Sequence, residues 1–294
     1  MAIERIMKAT LRAANHTGFT LVELVITISL MGVVSVLVST MVGNQMLGYV
    51  DTARRSDLVA RADMALQMIA RDVRSAVPYS VRVSGAALEW VPVLEWGRYR
   101  KRPDAGAADP VLAEAAVLDF SNPDTLFEVL HTGTMPSLPS NPRLVVGNSP
   151  AMGLDGLNVY GGLSSGGIVP IGTHVITPTG ITLGSSGNSI SMNPGFQFAL
   201  GSAAGRFYLV NHAASYICSG GSITRYGNYN IQNAQPASAP PSSTSVLLID
   251  GVTSCQFGYT AIDATYGMLT ITLQVTESGE SVTLSRVITI ENRS

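Results

Sequence analysis

Lysine is nearly missing from this 294-residue chain: Lys8 and Lys101 stand beside sixteen arginines, and the formal net charge is −2. A chain this close to neutral has no global field for holding DNA or RNA, so a nucleic-acid partner needs a local patch. Charged residues of both signs make up only 13% of the chain and aromatics 6%, while 46% is hydrophobic. That balance excludes a disordered polyampholyte, which cannot bury enough apolar surface to offset chain entropy. Cysteine is equally scarce. Cys218 and Cys255 are too few for a disulfide-dense miniature fold and lack the spacing of a zinc or redox motif, so they form one bridge at most.

The usual signatures of catalysis are missing as well. His16, His131, His174 and His212 are far apart and make no His/Cys metal spacing. No carboxylate pair is singled out for acid–base work, and no glycine-rich loop opens a helix to cradle phosphate. Gly162-Leu163-Ser164-Ser165-Gly166 matches the GxSxG nucleophile pattern but lies in a Gly/Ser-rich tract without the strand–turn–helix context that exposes a strained serine. The chain reads as a non-enzyme that requires no metal or cofactor.

What is present is one long apolar run. Residues 19–42 read FTLVELVITISLMGVVSVLVSTMV, with Glu23 as the single charge. At 1.5 Å per residue the run makes a helix of roughly 36 Å, enough to cross a hydrocarbon core of about 30 Å. Arg5, Lys8 and Arg12 precede it against one acid, Glu4, which places the N-terminus in the cytoplasm, although Arg54 and Arg55 on the far side weaken that vote. An ordinary secretory signal has a shorter apolar stretch and a small-residue cleavage site after it, and neither is found.

Glu23 needs a compensating charge, because a carboxylate inside a bilayer costs about 2.5 to 3.5 kcal/mol on insertion scales. A cut between Gly18 and Phe19 would create an α-amino group, cationic at neutral pH. An ammonium about 4 Å from a carboxylate gains roughly 4 kcal/mol at an effective dielectric of 20, comparable to the insertion cost. That amine can belong to a neighbouring molecule whose helix lies in register. The alternative is a shallow carboxylate near the headgroups, or one favoured by about 0.3 to 1 kcal/mol at the positive end of the helix dipole.

Thr17-Gly18-Phe19-Thr20-Leu21-Val22-Glu23 followed by an uninterrupted apolar helix resembles the class III leader of type IV pilins and pseudopilins. The resemblance covers about the first 60 residues and implies that a prepilin peptidase cuts after Gly18 and that Phe19 becomes the N-methylated terminus. Glu23 would meet another subunit's amine during polymerisation. Many major pilins carry a proline in the middle of this helix; Thr40 and Gly43 occupy that neighbourhood here. Removing an 18-residue leader leaves 276 residues (294 − 18), large for a filament's bulk subunit, which points to a minor component. Gly48-Tyr49-Val50-Asp51-Thr52-Ala53-Arg54-Arg55, Arg206-Phe207-Tyr208, Tyr216-Ile217-Cys218, Arg225-Tyr226, the run from Leu247 to Val252 and Cys255-Gln256-Phe257 are most similar to the MshO-type minor component of mannose-sensitive haemagglutinin pili. The final third is also similar to the J-type minor pseudopilin of type II secretion.

The expected fold is α+β and pilin-like. It comprises a cytoplasmic leader over 1–18, a membrane and assembly helix over 19–43, its amphipathic continuation over 44–77, and an extracytoplasmic β-rich head over 78–294. The continuation is predicted from Val59, Ala62, Leu66, Ile69, Val73 and Val77, spaced by three or four, and Pro78 ends it. Arg71, Asp72 and Arg74 read as a solvated helix face. Strands are expected over 80–84, 88–94, 117–120, 126–130 and 144–146, and loops or edge strands across the Gly/Ser-rich tract 148–195. An antiparallel meander is expected over 206–210, 215–218, 246–250, 254–260, 268–275 and 281–290. On its last strand Val282, Leu284, Ile288 and Ile290 share a face that Arg286 interrupts, which suggests a bulge.

In an oxidising extracytoplasmic compartment Cys218 and Cys255 are expected to bridge, closing a loop worth roughly 4 kcal/mol in the chain-entropy model; two separate buried thiols are the alternative. Trp96-Gly97-Arg98-Tyr99-Arg100-Lys101-Arg102 interleaves four cations with aromatics. As a hairpin tip it is either a solvated turn or an attachment point for a surface, glycan, DNA or acidic protein. Partners implied by the resemblance are the prepilin peptidase, other pilin subunits and inner-membrane lipid before assembly into a fibre. A secretion pseudopilin and a single-span membrane-anchored β-domain enzyme or receptor are the competing readings.

Overall fold

A computed structural model describes residues 18–106, 108–109, 111, 115–130, 138–150, 157–161 and 172–293. The leader up to residue 17, His16, His131 and the Gly162-Leu163-Ser164-Ser165-Gly166 motif lie outside the described residues. The chain divides into two compact units, Met1–Arg54 and Arg55–Ser294. Helix α1, Leu21–Arg74, contributes to both.

In the first unit, Leu21–Val42 is an apolar helical segment with mean hydropathy 2.5 and no buried residue. Three of its five hydroxyls bond back to the helix: Thr27 and Thr40 donate to the Leu24 and Leu37 carbonyls at 2.9 Å, and Ser29 donates to the Val25 carbonyl at 2.7 Å. Such back-bonding removes the polar demand of serine and threonine, as a hydrocarbon surrounding requires.

In the second unit the helix acquires one apolar face. Leu58, Ala62, Ala65, Leu66, Ile69, Ala70 and Val73 are buried, spaced by three or four. The helix ends at Arg74, a few residues short of the expected 77: Ser75 and Ala76 close a tighter last turn, and the Val77 amide donates to the Val91 carbonyl. Pro78 explains the exit, since it disfavours helical backbone at the residue before it.

Among the described residues the head has fourteen strands in three antiparallel sheets. The first sheet runs β1-β2-β9-β10-β11, from Arg82–Ser84, Ala87–Trp90, Ala213–Ser219, Ser222–Tyr229 and Thr244–Asp250. The second runs β12-β13-β14, from Val252–Ala261, Tyr266–Glu277 and Glu280–Glu291. The third has the order β5-β8-β3-β4-β7-β6, from Arg143–Val146, Arg206–Val210, Glu95–Tyr99, Asp124–Leu130, Ser189–Phe196 and Thr182–Ser186. The buried helix face packs with residues of the first two sheets, including Trp90, Tyr216, Leu269, Ile271 and Ile288. A separate core of Tyr99, Phe127, Ile190, Phe196 and Phe207 belongs to the third sheet. Gly97 in β3 is required there, because a Cβ would lie 2.6 Å from the Phe207 ring.

The α+β architecture with a long N-terminal helix and a large antiparallel β-rich head is therefore present. Several local expectations are corrected. The final third is not one meander but is divided among three sheets. Residues 117–120 form no strand; the Gly/Ser-rich tract supplies the expected kind of edge strand in β6 but also the interior strand β7, and β10 lies outside the expected strands. No bulge occurs on β14, whose register against β13 is continuous from Tyr266–Glu291 to Glu277–Glu280. Arg286 interrupts the apolar face because it reaches Asp63 on α1 at 3.6 Å.

Candidate processing and assembly site

Helix α1 begins with a capping arrangement. Thr20 sits before the first helical residue, and its Oγ1 accepts from the Glu23 backbone N–H at 3.2 Å. The Thr20 carbonyl accepts from Leu24 at 3.1 Å, the first full helical bond. Thr-Leu-Val-Glu is thus a capping-box sequence, with Glu23 at the position where an acid also favours the positive end of the helix dipole. Gly18 and Phe19 precede the cap and are exposed, Phe19 at 69%. A cut after Gly18 would leave the new amine one residue outside the cap.

Among the described residues the Glu23 side chain makes no hydrogen bond or ion pair. The site therefore combines an exposed Gly18–Phe19 junction, a self-contained helix start and a carboxylate unpaired among the described side chains of its own chain.

Asp72, near the other end of the same helix, has a contrasting environment. Its Oδ2 accepts from the Tyr216 hydroxyl at 2.9 Å and the Arg225 Nε at 2.8 Å. Burial, followed by the negative charge of Asp72, pushes the Tyr216 hydroxyl far above its ordinary pKa, so it remains a donor. Trp90 stacks on Tyr216 at 5.2 Å, and the Arg225 guanidinium lies 5.7 Å from the Trp90 ring. The expectation that Arg71, Asp72 and Arg74 form a solvated face holds for the exposed arginines and fails for Asp72, which ties the helix to β9 and β10.

A second buried polar group was not singled out from the sequence. Glu89 in β2 is fully buried, accepting from Arg82 Nε at 2.6 Å and the Tyr229 hydroxyl at 3.0 Å. Burial raises its pKa, opposed by Arg82 and Tyr229. Arg82 also lies 3.6 Å from the Tyr160 ring centroid. The only sequence signal was an acid within an otherwise apolar strand.

Cys218 and Cys255 form the disulfide, joining β9 of the first sheet to β12 of the second. The 98–102 cluster is dispersed rather than gathered at a hairpin tip, because β3 lies between β8 and β4. Tyr99 is a core residue at 1% exposure, its hydroxyl accepting from the Ser202 amide at 2.8 Å, so it presents no aromatic face. Arg100 pairs with Glu128, Lys101 donates to the Ala203 carbonyl at 3.1 Å, and Arg98 donates to the Ala204 carbonyl at 3.2 Å. Arg102 is exposed. Among the described residues no group of three or more His, Cys, Asp or Glu could hold a metal ion.

Residues 14–39 match the family described as the prokaryotic N-terminal methylation motif, a span that contains Gly18, Phe19 and Glu23. The match supports a prepilin-type leader and a type IV pilin-like or pseudopilin chain, with the processing and assembly such a leader implies. A leader of this kind with a single apolar N-terminal helix fits inner-membrane anchoring before assembly. No curated protein and no solved structure matches the chain.

Proposed function

We propose that this chain is a minor pilin, an assembly subunit cut after Gly18, methylated at Phe19, held in the inner membrane by residues 19–43 and recruited into a fibre through Glu23. The supporting observation is the conjunction at the helix start: the methylation motif over 14–39, the exposed junction before the Thr20 cap, and a Glu23 carboxylate without a described partner in its own chain. A neighbour's terminal amine would supply the missing charge at a distance where an ion pair offsets most of the insertion cost. The segments quoted above make the MshO-type component of mannose-sensitive haemagglutinin pili the preferred subtype. Its role would be priming assembly or occupying a position near the tip, with the head displayed outside the cytoplasm.

Mass spectrometry of the protein purified from its own cells tests this reading. The expected N-terminus is Phe19 carrying one methyl group, lost when the prepilin peptidase is deleted. An intact Met1, or cleavage elsewhere, contradicts it and favours a membrane-anchored enzyme or receptor. The methylation motif is shared with secretion pseudopilins, so loss of pili rather than of protein export on deletion is the expected phenotype.

A further inference from the structure

An open groove of about 540 Å³ lies in the head, lined by Arg74 at the end of α1, Trp96 on β3, Arg206 and Tyr208 on β8, and Arg293 after β14. Its volume falls within the range of small-ligand sites. Trp96 is 57% exposed, a large aromatic surface left in water, and the Arg206 guanidinium lies 5.9 Å from its ring. Trp96 is directly opposite Tyr208 and Arg98 directly opposite Arg206 in the β3–β8 register. Two like charges facing each other across strands destabilise a sheet, and among the described residues no ion pair involves Arg98, Arg206 or Arg74. Arg98 is held by the Ala204 carbonyl, and Arg206 is placed against Trp96 and Tyr208, so two cations and an exposed indole face the same water without a described acid bound to either cation. Glu95 and Glu291 also line the groove, and Arg293 pairs with Glu291 at 3.5 Å.

We propose that this groove binds an anionic saccharide: a sugar ring stacks on Trp96, its carboxylate or sulfate meets Arg206 and Arg74, and its hydroxyls donate to Glu95 or Glu291. The acids argue against a nucleic-acid backbone, whose successive phosphates they would repel, while carboxylates are good acceptors for sugar hydroxyls. An indole face suits the apolar face of a sugar ring, and guanidinium forks suit planar carboxylates. The site is independent of the assembly reading, since none of its residues lies in the N-terminal unit.

The chain has two tryptophans, and Trp90 is fully buried, so quenching of emission by added saccharide reports on Trp96. Detergent-solubilised full-length protein is titrated with sialyllactose and glucuronate, with lactose and glucose as neutral counterparts. Saturable quenching by at least one acidic sugar is expected, with the neutral counterpart weaker by about tenfold. Arg206→Gln should weaken binding by about tenfold and Arg206→Lys less, because the fork is lost but not the charge. Arg102→Ala should leave it unchanged, and far-ultraviolet circular dichroism and an intact disulfide check each variant's fold. Calorimetry with Trp96→Ala supplies a readout independent of fluorescence and should show binding lost. No saturable response to either acidic sugar, equal binding of acidic and neutral sugars, undiminished binding by folded Arg206→Gln, or tighter binding of a single-stranded DNA oligonucleotide or an oligo-aspartate peptide would each overturn the proposal.

Discussion

Glu23 and Asp72 are two carboxylates on one helix in opposite circumstances. Asp72 has Tyr216 and Arg225 within 2.9 Å, and the residues around it bury an apolar stripe in the head. Glu23 has no described side-chain partner, and nothing in Leu21–Val42 is buried. The difference shows that a charged residue's function is read from where its counter-charge resides. Asp72 is completed by its own chain and therefore stabilises a fold, whereas Glu23, on the proposed reading, would be completed by another molecule.

The largest expected effect that would sharpen this comparison comes from paired truncations. Ile69 is fully buried, so Ile69→Ala should destabilise the head by about 2 to 5 kcal/mol. Ile26 is exposed, and Ile26→Ala should leave the head's unfolding midpoint unchanged. Denaturant unfolding followed through Trp90 emission separates the two; equal shifts would mean that the two stretches of helix share one environment. Next in size is Asp72→Asn, expected to cost about 1 to 2 kcal/mol after allowing for partial solvent screening of Arg225. A double-mutant cycle with Arg225→Gln should show coupling, and additivity would remove the ion pair as a tie between helix and sheet.

A smaller effect concerns pH. The folded-state pKa of Glu89 is raised by burial, so the folded head binds this proton more tightly than the unfolded chain does. Its contribution is full below the unfolded value of about 4.3 and is lost as pH rises through the folded value, the reverse of an ordinary paired carboxylate. Relative to Glu89→Gln, the native protein should lose stability as pH climbs through that window. A difference that grows in the other direction would show that Arg82 and Tyr229 outweigh burial.

Helix and head differ in how legible they are. The helix was readable because one apolar run and one spacing of three to four residues persist across it, and Pro78 forbids its continuation. The disulfide followed from having only two cysteines. In β13, Leu269, Ile271, Leu273 and Val275 alternate with more exposed residues, so that strand was also legible. Strand β7 was not, because Ser189, Ser191 and Asn193 sit among glycines and only Ile190, Met192 and Phe196 carry its core contacts. Asp72 looked solvated because its partners Tyr216 and Arg225 are far away in sequence, a relation that helical spacing does not encode. Tyr99 looked like part of an exposed cluster because β3 is short and its neighbours β4 and β8 come much later in the chain.

The central claim rests on Glu23, and filament incorporation of Glu23→Gln beside Asp72→Asn, both expressed with the other subunits present, tests it most directly. Glu23→Gln should be processed to Phe19, fold with an unchanged head and yet fail to enter fibres, while Asp72→Asn should enter fibres once its less stable head has folded. Normal incorporation of Glu23→Gln would contradict the account.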